Sequence, residues 1–159
     1  MERITMDRRQ ESVQTLEQHP SGVEVKSLPE AIYTAERLTV GEYGRQFTKF
    51  GSIESFVDGL VSSNWWMRTF PNAPVHVHVD KRSPSARFSV AHDNVIALAN
   101  NPQGRNIANV LHELAHVATM CADGHGPIFR GAMLKLVRSH MGFYAYVDLE
   151  REYRNQLRR

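Results

Sequence analysis

The side chains in this sequence best suited to chemistry are His112-Glu113-Leu114-Ala115-His116 and, nine residues further on, His125. On a helix, two imidazoles four residues apart project from the same side, about one turn apart, and can grip one metal ion. Glu113 sits beside them, placed to take a proton from water at that ion. His125, within Gly124-His125-Gly126-Pro127, offers a third nitrogen. Three protein ligands leave one coordination position open, the arrangement in which zinc does catalysis rather than structural work. The pattern predicts one Zn2+ ion held by His112, His116 and His125, with Glu113 as the catalytic residue of a hydrolytic reaction. Glu113 would accept a proton from water and pass it to the leaving amine. A further donor would stabilise the oxyanion, and Arg130, His140, Tyr144 and Tyr146 are candidates among which the sequence does not choose.

These residues need a helix that turns them toward a cleft. At roughly 100° per residue, Arg105, Asn109, His112, Glu113, His116 and Met120 fall on one side. Ile107, Val110, Leu111, Leu114, Val117 and Ala118 fall on the other and predict the anchoring stripe. The chain should leave this helix near Cys121-Ala122, turn through Asp123-Gly124 and restart at Pro127, a favoured first-turn residue. Glycines on both sides of His125 would let the backbone bend it back under the metal.

His112–His116 together with Gly124-His125-Gly126-Pro127-Ile128-Phe129 resembles the SprT-like, or Spartan-type, zinc metallopeptidases. The resemblance is closer to a small actinobacterial family of metallohydrolases with the same core. There it extends to Ile32-Tyr33-Thr34-Ala35-Glu36, the Trp65-Trp66 pair and a tyrosine-containing C-terminal helix, from about Tyr33 to about Tyr153. It implies a zinc-dependent hydrolase, most readily a peptidase, on a minimal zincin-like α+β fold. In such a fold a small, mostly antiparallel sheet packs on the metal helix and further helices. The strand before the metal helix commonly forms the cleft rim, which places Val95, Ile96, Ala97 and Leu98 as a substrate-binding edge for an extended peptide or protein substrate. Related enzymes that take a glutamate from a later helix make Glu150 or Glu152 an alternative third ligand, although both lie in a charged stretch that reads as a solvated face. Spartan-type enzymes act on DNA-bound proteins, but no zinc-ribbon cysteines follow the core here.

Composition narrows the classes. A length of 159 residues suits one sizeable core and is short for two. Residues 1–26 read as a polar, loosely attached segment and 27–159 as a single domain. No apolar run reaches 18 residues, so no membrane partner is expected, and the N-terminus lacks the apolar stretch of a secretory signal. One cysteine, Cys121, fits a reducing interior, and a cytoplasmic location is expected. Cys121 itself reads as a buried small residue at the helix end rather than a redox-sensitive thiol near the metal. Net charge is only +2. Arg3, Arg8 and Arg9 at one end, and Arg151, Arg154, Arg158 and Arg159 at the other, lend slight support to nucleic-acid contact.

Further elements follow from pattern. Ser27-Leu28-Pro29-Glu30 has capping-box form and predicts a helix to about Leu38. Ile53, Phe56, Val57, Leu60 and Val61 predict a second over 52–63, closed by Trp65, Trp66 and Phe70. Val75, Val77 and Val79 alternate with His76, His78 and Asp80 as in a half-buried strand, whose wet face carries the two histidines rather than a second metal. Arg87–Ala91 and Val95–Ala99 read as strands joined by His92-Asp93-Asn94. Ile128, Phe129, Ala132, Met133, Leu136 and Val137 give the next helix its core stripe, and a last helix over 144–157 packs Tyr146, Leu149 and Tyr153. Two other classes share these features. One is a non-peptide zinc amidohydrolase, and the other is a catalytically silent, zinc-stabilised binding module that would not need Glu113.

Overall fold

The computed structural model describes residues 26–158; the polar segment read over 1–26 lies, but for Lys26, outside the described residues. The first helix, α1 (Leu28–Leu38), opens with the expected capping box. Ser27 Oγ accepts from the Glu30 N–H at 3.4 Å, and the Ser27 N–H donates to Glu30 Oε2 at 2.8 Å. Its inward face carries Ala31, Ile32, Ala35 and, unusually for such a face, Glu36. A short α2 (Val40–Tyr43) follows, then α3 (Phe50–Val61), which starts and ends two residues before the 52–63 expected from its stripe. Ser63 caps α4 (Asn64–Thr69) and buries Trp66, whose ring N–H donates to the Pro74 carbonyl at 2.9 Å. The Trp65-Trp66 pair is packing.

The sheet has three strands, β1 (His78–Arg82), β2 (Val90–His92) and β3 (Val95–Ala99), in the order β1-β3-β2. The β2–β3 hairpin turns through Asp93, at φ 51°. Two expectations are corrected here. The sheet is mixed rather than mostly antiparallel, because β1 runs parallel to β3 from His78↔Val95 to Arg82↔Ala99. Residues 83–89 carry the chain to the far side of β3 before it reverses, so β1 and its successor never form a hairpin. β3 is therefore the central strand, with both edges hydrogen-bonded, and Val95, Ile96, Ala97 and Leu98 offer no open edge to a peptide. The open edges belong to β1 and β2. The β1 strand also starts at His78 rather than Val75, although Val77 and Val79 point inward as their alternation requires.

The metal-motif helix, α5 (Ile107–Ala118), is the centre of the molecule. Asn106 caps it by accepting from the Ala108 N–H at 2.8 Å. Val110, Leu111, Leu114, Ala115 and Val117 are fully enclosed between the sheet and α6 (Pro127–His140). Burying each of the two leucines stabilises by about 1.5–3 kcal/mol, so the helix is held against rotation about its axis. The last helix, α7 (Phe143–Leu157), packs along α1 and α6 and closes the side opposite the sheet. Among the described residues no helix is long and apolar enough to cross a membrane.

Candidate metal centre

Because the apolar stripe of α5 is fixed, His112, Glu113 and His116 emerge together where expected. His112 is only 1% exposed and His116 half-buried. The helix ends at Ala118, three residues before the predicted exit, and then reverses sharply. Met120 and Cys121 both take left-handed backbone angles, φ 51° and 53°. The Cys121 N–H donates to the His116 carbonyl at 2.9 Å, satisfying one of the helix's terminal acceptors. For non-glycine residues such angles cost on the order of 1–3 kcal/mol each; they throw the chain back toward the histidines.

Asp123 then locks the returning loop. Its carboxylate accepts from the Ile128 and Phe129 N–H groups, at 2.7 and 3.0 Å, and so caps α6 in place of an ordinary N-cap residue. A Cβ on Gly126 would stand 2.4 Å from Asp123 Oδ2, so the approach requires glycine there. Arg130 donates to the His125 carbonyl at 3.2 Å. The result is convergence. The Nε2 atoms of His125 and His112 lie 3.2 Å apart, and one nitrogen from each of His112, His116 and His125 falls within 4.8 Å of the others. Phe129, fully buried, packs against all three imidazoles, with ring centroids 4.8, 4.4 and 4.9 Å away. Among the described residues this is the one group of three or more His, Cys, Asp or Glu side chains arranged to hold a metal ion.

An outer layer, not foreseen from the sequence, surrounds these histidines. Glu36 Oε2 lies 2.7 Å from His112 Nδ1, and Glu36 Oε1 accepts from the Tyr153 hydroxyl, also at 2.7 Å. Tyr33 stacks on His112, with centroids 5.0 Å apart and planes 19° from parallel. One signal could have found Glu36: a carboxylate four residues after Ile32, on the inward face of α1. Tyr153 was legible only as a packing residue beside Leu149.

The electrostatics suit a cation. Burial, reinforced by the neighbouring His112 and His125, pushes the His116 pKa down to about 3, and burial likewise lowers that of His125. Both rings thus stay neutral, with a lone pair free for a metal. Burial also works against a charge on His112, but the Glu36 carboxylate, by its charge and its hydrogen bond, and Glu113 turn the net shift upward. Glu113, 2% exposed, is pushed up to about 7 chiefly by burial. Neither Glu36 nor Glu113 has an ion pair with Lys or Arg among the described residues. Two buried carboxylates beside three imidazoles, with the Arg82 charge acting on Glu113 without pairing to it, suit a divalent ion. The donor set fits zinc: imidazole nitrogens, three in number.

Glu113 and Glu36 line a cavity of about 510 Å³, whose lining does not include the three histidines themselves. Tyr33 and Arg37 of α1, Arg87 and Phe88 before β2, and Asn109 of α5 also line it. No hydrogen bond to the Glu113 carboxylate occurs among the described residues, although the residue is almost wholly enclosed. Of the suggested oxyanion donors, Arg130 alone lies beside the histidines, bonded to the His125 backbone. Tyr144 is 84% exposed, and His140 stacks edge-on against Phe56 and Trp65, next to a separate hollow. Glu150 pairs with Arg154 at 3.7 Å, and Glu152 accepts from Asn155 and Gln156; neither joins the histidine group. His78 pairs with Asp80 at 2.8 Å on the open sheet edge, and His76 and His78 form no metal group. Cys121 is exposed rather than buried as expected, because α5 ends at Ala118 and leaves it in the reversing turn, and it is outside the histidine group. Comparison with protein-family models, with curated proteins and with solved structures yields no match.

Proposed function

We propose that this chain is a zinc-dependent hydrolase of the His-Glu-x-x-His type, a metallopeptidase that cleaves peptide bonds. The observation that carries the reading is Glu113: an almost wholly enclosed residue next to His112 that lines a cavity and whose carboxylate makes no hydrogen bond among the described residues. A structural metal site has no use for it, and a binding module would not retain so costly a group. The resemblance of the two motif segments to SprT-like metallopeptidases supports the same reading.

His112, His116 and His125 would hold the ion. When bound, zinc supplies Lewis acidity, polarising a carbonyl oxygen and acidifying water. Glu113 takes the proton from the attacking water on a carboxylate oxygen and returns it to the leaving nitrogen. Tyr33 lines the same cavity and stacks on His112, and is our choice of donor to the developing oxyanion, in place of the downstream residues suggested by the sequence. Its pKa is pushed up to about 12, first by burial and then by Glu113 and Glu36, so it keeps its proton.

A peptide can lie along β2, whose outer edge is open among the described residues; Val90 on that strand and Phe88 before it are 48% and 60% exposed. Main-chain hydrogen bonds to that edge give affinity with little sequence demand. A second reading, a non-peptide zinc amidohydrolase, draws on the cavity volume, which lies within the range that suits a small ligand. Arg151 and Arg154 are paired with Asp148 and Glu150, so we do not extend the proposal to nucleic acid.

Zinc-loaded protein incubated with denatured casein tests the peptidase reading. We expect new termini by mass spectrometry, lost on chelation and restored by zinc. Casein left intact by fully loaded protein that still hydrolyses small amides would favour the second reading instead.

A further inference from the structure

We propose that Glu36, held in place by the Tyr153 hydroxyl, is the positioning residue of the metal centre. It fixes His112 as the Nδ1–H tautomer, with Nε2 turned toward His116 and His125. The inference deepens the three-histidine reading and rests on it for its effect on metal affinity.

Each carboxylate oxygen of Glu36 has a partner: Oε2 lies 2.7 Å from His112 Nδ1, and Oε1 accepts from the Tyr153 hydroxyl, also at 2.7 Å. These are short, charge-assisted contacts inside the protein, Glu36 being 7% exposed. A carboxylate on the inward face of α1, beside Ile32 and Ala35, is costly unless both its oxygens are engaged. Without its partners it would be better replaced by an apolar residue.

What makes this more than a helix-to-helix tie is which nitrogen it selects. An imidazole donates from one nitrogen and coordinates through the other. With Nδ1 committed to Glu36, His112 Nε2 is left 3.2 Å from His125 Nε2, at the point of convergence. Tyr33 stacked on one face and Phe129 packed edge-on remove the remaining freedom of the ring. Among the described residues, His116 and His125 make no hydrogen bond to a carboxylate, so His112 is the oriented ligand around which the others assemble. Outer partners of this type also raise the basicity of the ligating nitrogen.

The clamp joins distant parts of the chain. Glu36 lies 76 residues before His112, and Tyr153 lies 117 residues after Glu36. Docking of α7 against α1 therefore reaches the metal through one hydroxyl, and the last helix is part of the site rather than only its cover.

The test uses the full chain and the variants Glu36→Gln and Tyr153→Phe, with far-UV circular dichroism to confirm the fold. Zinc affinity is read by competition with a chromophoric chelator, and ligand geometry by the visible spectrum of the cobalt(II) form. We expect Glu36→Gln to bind zinc about tenfold or more weakly and Tyr153→Phe to show a smaller loss, each with a shifted cobalt spectrum. Affinities within about twofold of the wild type, with unchanged cobalt spectra, would overturn the proposal. Long-range 1H–15N spectra of the metal-free wild type give a readout that needs neither metal nor variant. His112 should carry a proton on Nδ1, and an Nδ1 found without one overturns the clamp whether or not zinc binds. If the wild type takes up no zinc or cobalt while that tautomer is present, the three-histidine reading fails and the clamp stands as an orienting device.

Discussion

Glu113→Gln should lower kcat on a peptide substrate by about 10²–10⁴-fold, the usual contribution of a positioned general base, while KM and zinc content stay near wild type. The substitution is close to isosteric and removes neither a metal ligand nor, among the described residues, any hydrogen bond. Glu113 is almost wholly buried, and its carboxylate pays for that burial in a pKa raised to about 7. Glutamine carries no charge to desolvate, so the variant should fold at least as well as the wild type. Peptide hydrolysis measured beside zinc content separates chemistry from metal binding. Full hydrolysis by the variant would remove Glu113 from the mechanism and leave the site without a base.

His125→Ala should reduce zinc affinity by more than the tenfold to hundredfold typical of losing an outer partner, so at least about a hundredfold, because a direct ligand is removed. The fold should survive. The loop is held by Asp123 accepting from the Ile128 and Phe129 N–H groups and by Arg130 bonded to the residue 125 carbonyl, none of which involves the imidazole. A ligand that binds only the folded state stabilises by about 4 kcal/mol at a thousand times its dissociation constant. The wild type should therefore melt well above its metal-free form when zinc is added, and His125→Ala should show little of that increase at the same zinc concentration. Undiminished zinc content in the variant would reject His125 as a ligand.

Much of the metal centre was legible because it is local. His112 and His116 share a face of one helix whose opposite stripe is apolar, and His125 follows within a turn marked by Asp123, Gly124, Gly126 and Pro127. Period and turn chemistry act over a few residues, and both can be read from a single chain. The outer layer was not legible in this way. Glu36 meets His112 across 76 residues and Tyr153 across 117, and no local pattern encodes those distances. The sheet failed for the same reason. Val95-Ile96-Ala97-Leu98-Ala99 is a near-continuous apolar run, the mark of a strand flanked on both edges, but which strand flanks it depends on a parallel pairing with His78–Arg82 that has no hairpin to announce it. Expecting an open edge there transferred a cleft rim from a resembling family onto a strand that is central here. The short helices α2 and α4 fall below the length at which an apolar period can be recognised.

The central claim is that His112, His116 and His125 converge on one divalent ion. Zinc K-edge X-ray absorption on protein loaded with one equivalent tests it most directly, since it counts and identifies the neighbours of the ion. The account predicts three imidazole nitrogens at about 2.0–2.1 Å, one oxygen neighbour and no sulfur, with one imidazole fewer in His125→Ala. A shell with fewer than three imidazoles in the wild type, or one containing the Cys121 sulfur, would contradict it.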